Sequence, residues 1–173
     1  MNVGQIFRAD IANGPGVRES VFVSGCRNHC PGCFNEETWD FAYGTPYTEE
    51  MEDEILRELA EPYYDGLSLL GGEPFEPENQ ETVLQLVKRV RRELPQRSIW
   101  AYTGCIYERD FFGDGRCVTP FIEELLDNID VLVDGPFLKS EKDITLTFRG
   151  SSNQRIIDLK NTRKSGKPVL LDF

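Results

Sequence analysis

Apolar residues along the chain switch between short continuous runs and longer stretches in which they recur every three or four positions. The run SVFVSG from Ser20 is apolar and bounded by glycine, the pattern of a strand buried on both faces of a parallel sheet. Thr48 followed by Glu49 and Glu50 reads as a helix N-cap with acids in the first turn, where they meet the positive end of the helix dipole. Met51, Ile55 and Leu59 then share one face of that helix. GLSLL, Gly66 to Leu70, predicts a second strand that runs straight into GGEP, Gly71 to Pro74. Val83, Leu86, Val87, Val90 and Leu94 follow at helical spacing, and Pro95 stops the helix. SIWAYTG from Ser98 and IDVLVDG from Ile129 predict two further strands, with a helical pattern from Pro120 to Asn128 between them. ITLTFRG from Ile144 alternates as a strand does.

Strands separated by helical segments with short connections define βαβ units around a mostly parallel sheet, hence an α/β fold. Such sheets bind ligands at the C-terminal ends of their strands. The loop leaving SVFVSG, together with GGEP, YTG and VDG, falls at that end. At 173 residues, with no internal repeat and no dividing linker, one domain is expected. Residues 1–158 form its body and 159–173 a tail or arm of the same domain, with the basic run Lys160 to Lys167 solvated.

The net charge of −11, from 19 basic and 30 acidic residues, repels a phosphate backbone and argues against nucleic acid as a partner. No apolar run is long enough to span a membrane, and MNVGQIFRAD lacks the basic-then-apolar order of an export signal, so a cytoplasmic location is expected. Thiols there stay reduced, and the 5 cysteines point to metal or redox chemistry before a disulfide framework.

Three of those cysteines stand in CRNHCPGC, Cys26 to Cys33, while Cys105 and Cys117 lie far downstream. Thiolates bind zinc or iron–sulfur clusters, and close spacing lets one loop wrap one centre. A structural zinc site closes with four ligands that usually arrive as two pairs, whereas this loop supplies three. His29, beside Cys30, reads as a polar loop residue packing near the site. Cys105 and Cys117 each read as a small buried hydrophobe. Three thiolates on a four-iron cube leave one iron open to a ligand from solution, which distinguishes a catalytic centre from a structural one. Two rival readings remain: a non-catalytic iron–sulfur electron carrier completed by Cys105 or Cys117, and a zinc-stabilised interaction module.

The spacing C-x-x-x-C-x-x-C, with the strand before it and GGEP after the next strand, resembles the radical S-adenosylmethionine enzymes. More narrowly, NGPGVRESVFVSGCRNHCPGCFNEETWDF, Asn13 to Phe41, resembles the activases of glycyl radical enzymes. LSLLGGEPFEPEN, IWAYTG, NIDVLVDGPF and FRGSSNQR support the likeness, which runs from near the N-terminus to about Arg155. The RGSSNQR ending and the short length favour activases of anaerobic, class III ribonucleotide reductases over those of pyruvate formate-lyase type. Many members of the wider superfamily carry an aromatic residue just before the last cysteine; here Gly32 stands there and Phe34 follows Cys33.

That resemblance implies an incomplete TIM-type β/α barrel, the radical SAM fold, and one 4Fe-4S cluster held by Cys26, Cys30 and Cys33. It implies S-adenosylmethionine bound at the open iron, with Gly32, Cys33 and Phe34 against its adenosyl part. Gly71 and Gly72 would approach it through backbone, and they or Glu73 would accept hydrogen bonds from its ammonium. Glu73 otherwise reads as a solvated turn residue. Reductive cleavage of S-adenosylmethionine would yield a 5′-deoxyadenosyl radical that takes hydrogen from a glycine of the large reductase subunit. The implied electron donor is a flavodoxin or ferredoxin. Asn13 to Gly16 reads as a tight turn and a candidate wall of the partner's groove. Asp134 is open between a ribose contact and a turn cap. Trp39, Phe41 and Tyr43 are expected to pack beneath the cysteine loop, and Tyr102 and Thr103 to face the cavity.

Overall fold

The computed structural model describes residues 1–173. Seven strands form one open sheet in the order β3-β1-β2-β4-β5-β6-β7. They are β1 (Asn2–Asp10), β2 (Arg18–Val23), β3 (Thr45–Pro46), β4 (Gly66–Gly71), β5 (Ser98–Tyr102), β6 (Val131–Asp134) and β7 (Arg155–Asp158). The four central strands, β2, β4, β5 and β6, run parallel. The edges are antiparallel: β1 pairs with β2 and β3, and β7 with β6. The mostly parallel centre follows the βαβ patterning; the antiparallel edges are additions to it.

Helices α1 (Glu49–Ala60), α2 (Pro77–Glu93), α3 (Tyr107–Asp110), α4 (Ile122–Asp127) and α5 (Leu159–Ser165) complete the fold. Thr48 caps α1, its hydroxyl accepting from the Met51 N–H at 3.2 Å. Side chains alternate across each strand, and the helices cover one face only. Leu69, Ile99, Ala101, Leu132 and Ile157 enter that core with Ile55, Val87 and Leu125 from the helices. Trp100, Val131, Val133 and Ile156 point the other way, where no helix packs and Tyr102, Phe148 and Leu171 lie against them. The turn at Asn13 to Gly16 crosses this second face. A Cβ on Gly14 would meet the Arg18 side chain at 2.8 Å and Trp100 at 3.3 Å.

Three expectations need correction. ITLTFRG is not a strand: the segment from Ile144 is a series of turns closed by an isolated bridge between Lys142 and Ser151. Asp143 takes both the Thr145 N–H and hydroxyl, Phe148 sits at φ 56°, and Ile144 is 90% exposed. The basic run keeps its lysines exposed but is not a loose tail: most of it is helix α5, where Thr162 is buried, and beyond it Leu170 bridges to Ile157. Finally, SVFVSG is the second strand of the sheet; β1, unforeseen, precedes it. No helix is long and apolar enough to cross a membrane.

Candidate functional site

The cysteine loop leaves β2 at Val23 and folds back on itself. Gly25 N–H donates to the Thr38 carbonyl at 2.8 Å, and Cys26 N–H to the Trp39 carbonyl at 3.1 Å. Between these ties His29 (φ 45°) and Gly32 (φ 77°) take left-handed conformations that turn the chain. The Cys33 N–H donates to the Cys30 carbonyl at 3.0 Å, and the Asn35 N–H reaches the Cys33 Sγ at 3.4 Å. Arg27 anchors the loop from outside: its N–H and guanidinium bond to Glu76 at 2.9 and 2.6 Å.

GGEP receives that loop. Gly72 N–H donates to the Val23 carbonyl at 2.7 Å and Glu73 N–H to the Gly25 carbonyl at 2.8 Å. A Cβ on Gly72 would stand 2.7 Å from the Gly25 carbonyl oxygen and 2.8 Å from that of Thr38, so only glycine admits this approach. Gly71 holds φ 104°. Glu73 is wholly buried and lies behind the cavity wall, neither solvated nor on its lining. Its carboxylate accepts from Gly104 N–H at 2.8 Å, Phe75 N–H at 3.1 Å and Asn28 Nδ2 at 3.1 Å. One side chain thereby ties together the loops that follow β2, β4 and β5. Burial pushes its pKa up to about 6, against the lowering effect of those hydrogen bonds.

These loops open on a cavity of roughly 360 Å³, within the range of small-molecule sites. Cys26, Cys30 and Cys33 line it, with Phe34, Gly71 and Gly72. Thr103 and Gly104 after β5, Gly135 after β6 and Phe148 to Gly150 from the turn segment form other walls. Gly32 is exposed and is not on the lining; its φ fixes the turn beside Cys33. Phe34 is 72% exposed, and its ring lies 5.8 Å from that of Phe137. Burial pushes the Cys26 thiol up to about 11 and raises that of Cys30; iron would take either as the thiolate.

The residues fit the implied groups. No three His, Cys, Asp or Glu side chains converge closely enough to share a single ion. Thiolates of a cluster each bind a different iron, and therefore stand farther apart than the ligands of one zinc. Trp39 Nε1, Tyr102 Oη and Arg149 Nε, all from the lining, are buried with no partner in the protein. Buried donors without acceptors in the protein suit a polar ligand or ordered water.

Other expected residues divide. His29 stacks on Trp39 at 4.6 Å, as a loop-packing residue. Asp134 caps α3 through the Tyr107 N–H at 2.9 Å and pairs with Arg155, and does not line the cavity. Trp39, Phe41 and Tyr43 do not form one cluster: Trp39 lines the cavity, Phe41 packs on Gly25 and Arg27, and Tyr43 packs on Gly4. Cys105 and Cys117 are buried off the lining, with their sulfurs facing each other. The Glu73 tie and the three unpartnered donors carry no sequence signal, since each depends on what the fold places beside it.

A family model described as a 4Fe-4S single cluster domain matches residues 12–157. A protein of Escherichia coli strain K12 named anaerobic ribonucleoside-triphosphate reductase-activating protein is 43% identical over 162 residues, 92% of this chain and all of that one. A Vibrio cholerae protein of the same name is 45% identical over 158 residues, 90% of this chain and 97% of its own length. One from bacteriophage T4 is 36% identical over 156 residues, 90% of this chain and 93% of its own. The chain belongs to this family of activating proteins, built on a single-cluster 4Fe-4S domain.

Proposed function

We propose that the protein activates an anaerobic ribonucleoside-triphosphate reductase by installing a glycyl radical on its large subunit. A 4Fe-4S cluster is held by Cys26, Cys30 and Cys33, and S-adenosylmethionine occupies the cavity beside it. The convergence of the three thiols and the Gly71-Gly72 turn on one cavity carries this reading. When bound, the cluster and S-adenosylmethionine together supply the one-electron chemistry that ends in removal of a hydrogen atom from glycine.

The protein's own part is position and exclusion of water. Gly71 and Gly72 bring backbone carbonyls close to the amino-acid end of the cofactor. Glu73 keeps the three loops in register from behind and influences the ammonium through them. Gly32 and Phe34 flank Cys33 on the adenosyl side. Trp39, Tyr102 and Arg149 offer their unpartnered donors to the cofactor and to the incoming segment, whose glycine can be read only through backbone.

The open sheet is an incomplete β/α barrel of the radical SAM type. Its support is the parallel centre, the loops gathered at one strand end, and the second face left free of helices. Residues 1–158 with the packed segment 159–173 form one domain, working in the cytoplasm with a flavodoxin or ferredoxin as donor. An electron carrier would need Cys105 or Cys117 as a fourth ligand, yet both sulfurs are turned into the core.

The test is anaerobic incubation of reduced protein with S-adenosylmethionine and the reductase, read by electron paramagnetic resonance. A glycyl doublet on the reductase is expected. No doublet, with S-adenosylmethionine intact, would overturn the reading; a doublet only on another acceptor would move the substrate and keep the chemistry.

A further inference from the structure

We propose that Cys105 and Cys117 form an oxidisable dithiol, distinct from the cluster ligands, that closes to an internal disulfide under hydrogen peroxide and staples the cavity floor to the segment between α3 and α4. Their sulfurs lie 2.8 Å apart, in the core and off the cavity lining. A disulfide is about 2.05 Å long, so bonding requires an approach of less than about 1 Å. The backbone already holds both ends. Cys105 accepts at its carbonyl from Gly135 N–H at 2.8 Å, and its N–H donates to Thr103 Oγ1 at 3.0 Å. Cys117 N–H donates to the Asp110 carbonyl at 2.9 Å, and its carbonyl accepts from Gln80 Nε2 of α2 at 2.7 Å. Glu73 stands near Cys105, but no three such side chains come close enough to hold one ion, so the pair is a dithiol and not half of a metal site.

The chemistry balances. One sulfur, giving up its proton, attacks the peroxide O–O bond; it becomes a sulfenic acid and water leaves. The second sulfur displaces the sulfenic oxygen as a second water and forms the S–S bond. Two thiols are oxidised and one peroxide is reduced, with no other reactant. Glu73 Oε2, 3.9 Å from the Cys105 sulfur, is the nearby proton acceptor. The Cys117 contact, burial and the Glu73 charge all hold the Cys105 thiol protonated, so the pair reacts slowly and answers sustained oxidant. Cys105 directly follows the cavity-lining Gly104, and the staple therefore fixes the floor of the site under conditions that strip iron from thiolates.

The experiment uses full-length, iron-free protein treated with hydrogen peroxide, alkylated with iodoacetamide in denaturant and digested without reductant. Mass spectrometry is expected to find the Cys105 and Cys117 peptides joined, lighter by two hydrogens and separated by dithiothreitol. The oxidised protein is expected to melt about 6 °C or more above the reduced form. Both Cys117→Ala and Cys105→Ala should abolish that rise. Alkylated Cys105 and Cys117 after Cys30 and Cys33 have been oxidised would overturn the proposal, as would cross-links running chiefly to the loop cysteines. The peptide map needs no variant, so a variant that fails to fold leaves the test intact.

Discussion

On the helix-covered face, Val21, Leu69, Ile99 and Leu132 of successive strands meet Ile55, Val87 and Leu125, each at most 1% exposed. On the other face the same strands present Ser20, Ser68, Trp100 and Val133, closed over only by turns and the chain's last residues. Three cavity donors, on Trp39, Tyr102 and Arg149, have no partner there. One face is closed by the protein itself, and the other keeps unpaired donors at its cavity. Stability and activity should therefore respond to different residues, and substitutions can separate them.

The largest effect belongs to the cavity side. Cys26→Ala removes one of the three thiolates proposed to hold the cluster, and glycyl radical formation should fall to background with loss of the visible iron–sulfur absorption. Iron-free protein should still unfold cooperatively. Retained cluster absorption would break the comparison by showing that the cavity thiols are dispensable. Next comes the packed side: Leu125→Ala, at a position with no exposure, should cost about 2–5 kcal/mol in denaturant unfolding. Radical yield per folded molecule should not change.

The packed face has one flaw. Glu19 on β2 is 1% exposed, its carboxylate makes no well-formed hydrogen bond, and only the Tyr64 hydroxyl and Arg8, 4.0 Å away, offset its burial. Burial pushes its pKa up to about 7 from an ordinary 4.5. A carboxyl whose folded pKa is raised favours the folded state below its unfolded pKa, and that advantage is lost as pH rises through the folded value. Wild-type stability from this group should thus decline between about pH 4.5 and 7. Glu19→Gln should add about 1–2 kcal/mol at pH 8, after allowance for solvent around Arg8, and nothing at pH 4. An equal gain at both pH values would assign the effect to packing.

The parallel centre was readable because each of its strands is a short apolar run and each crossover helix repeats at 3.6 residues. The edges were not. β1 carries register shifts between Val3 and Gln5 and between Phe7 and Asp10, with Ala9 at φ 49°, and these irregularities break the alternation that marks a strand. β7 is only 4 residues long. ITLTFRG alternates yet pairs with no strand: β7 takes the free edge of β6, and Leu170 bridges to Ile157 on the far side of β7. The cysteine loop and GGEP were legible since their chemistry depends on spacing. Glu73 as a three-loop tie and Cys105 beside Cys117 were not, because contacts made through the fold leave no period in the chain.

The smallest effect also gives the sharpest contrast. Tyr102 Oη is buried, unpartnered and on the cavity lining, so the free protein carries an unsatisfied hydroxyl. Tyr102→Phe deletes that hydroxyl and keeps the ring, and should stabilise the ligand-free protein by up to about 1 kcal/mol. The same change removes a donor from whatever fills the cavity, so binding of S-adenosylmethionine or of the reductase segment should weaken several-fold. Opposite signs from one atom follow only if that atom is held ready for a ligand. Thermal melts of ligand-free protein, set beside titrations with each ligand, would measure both. Loss on both counts would mean that Tyr102 Oη is satisfied in solution, and the contrast between the two faces would then rest on the cysteines alone.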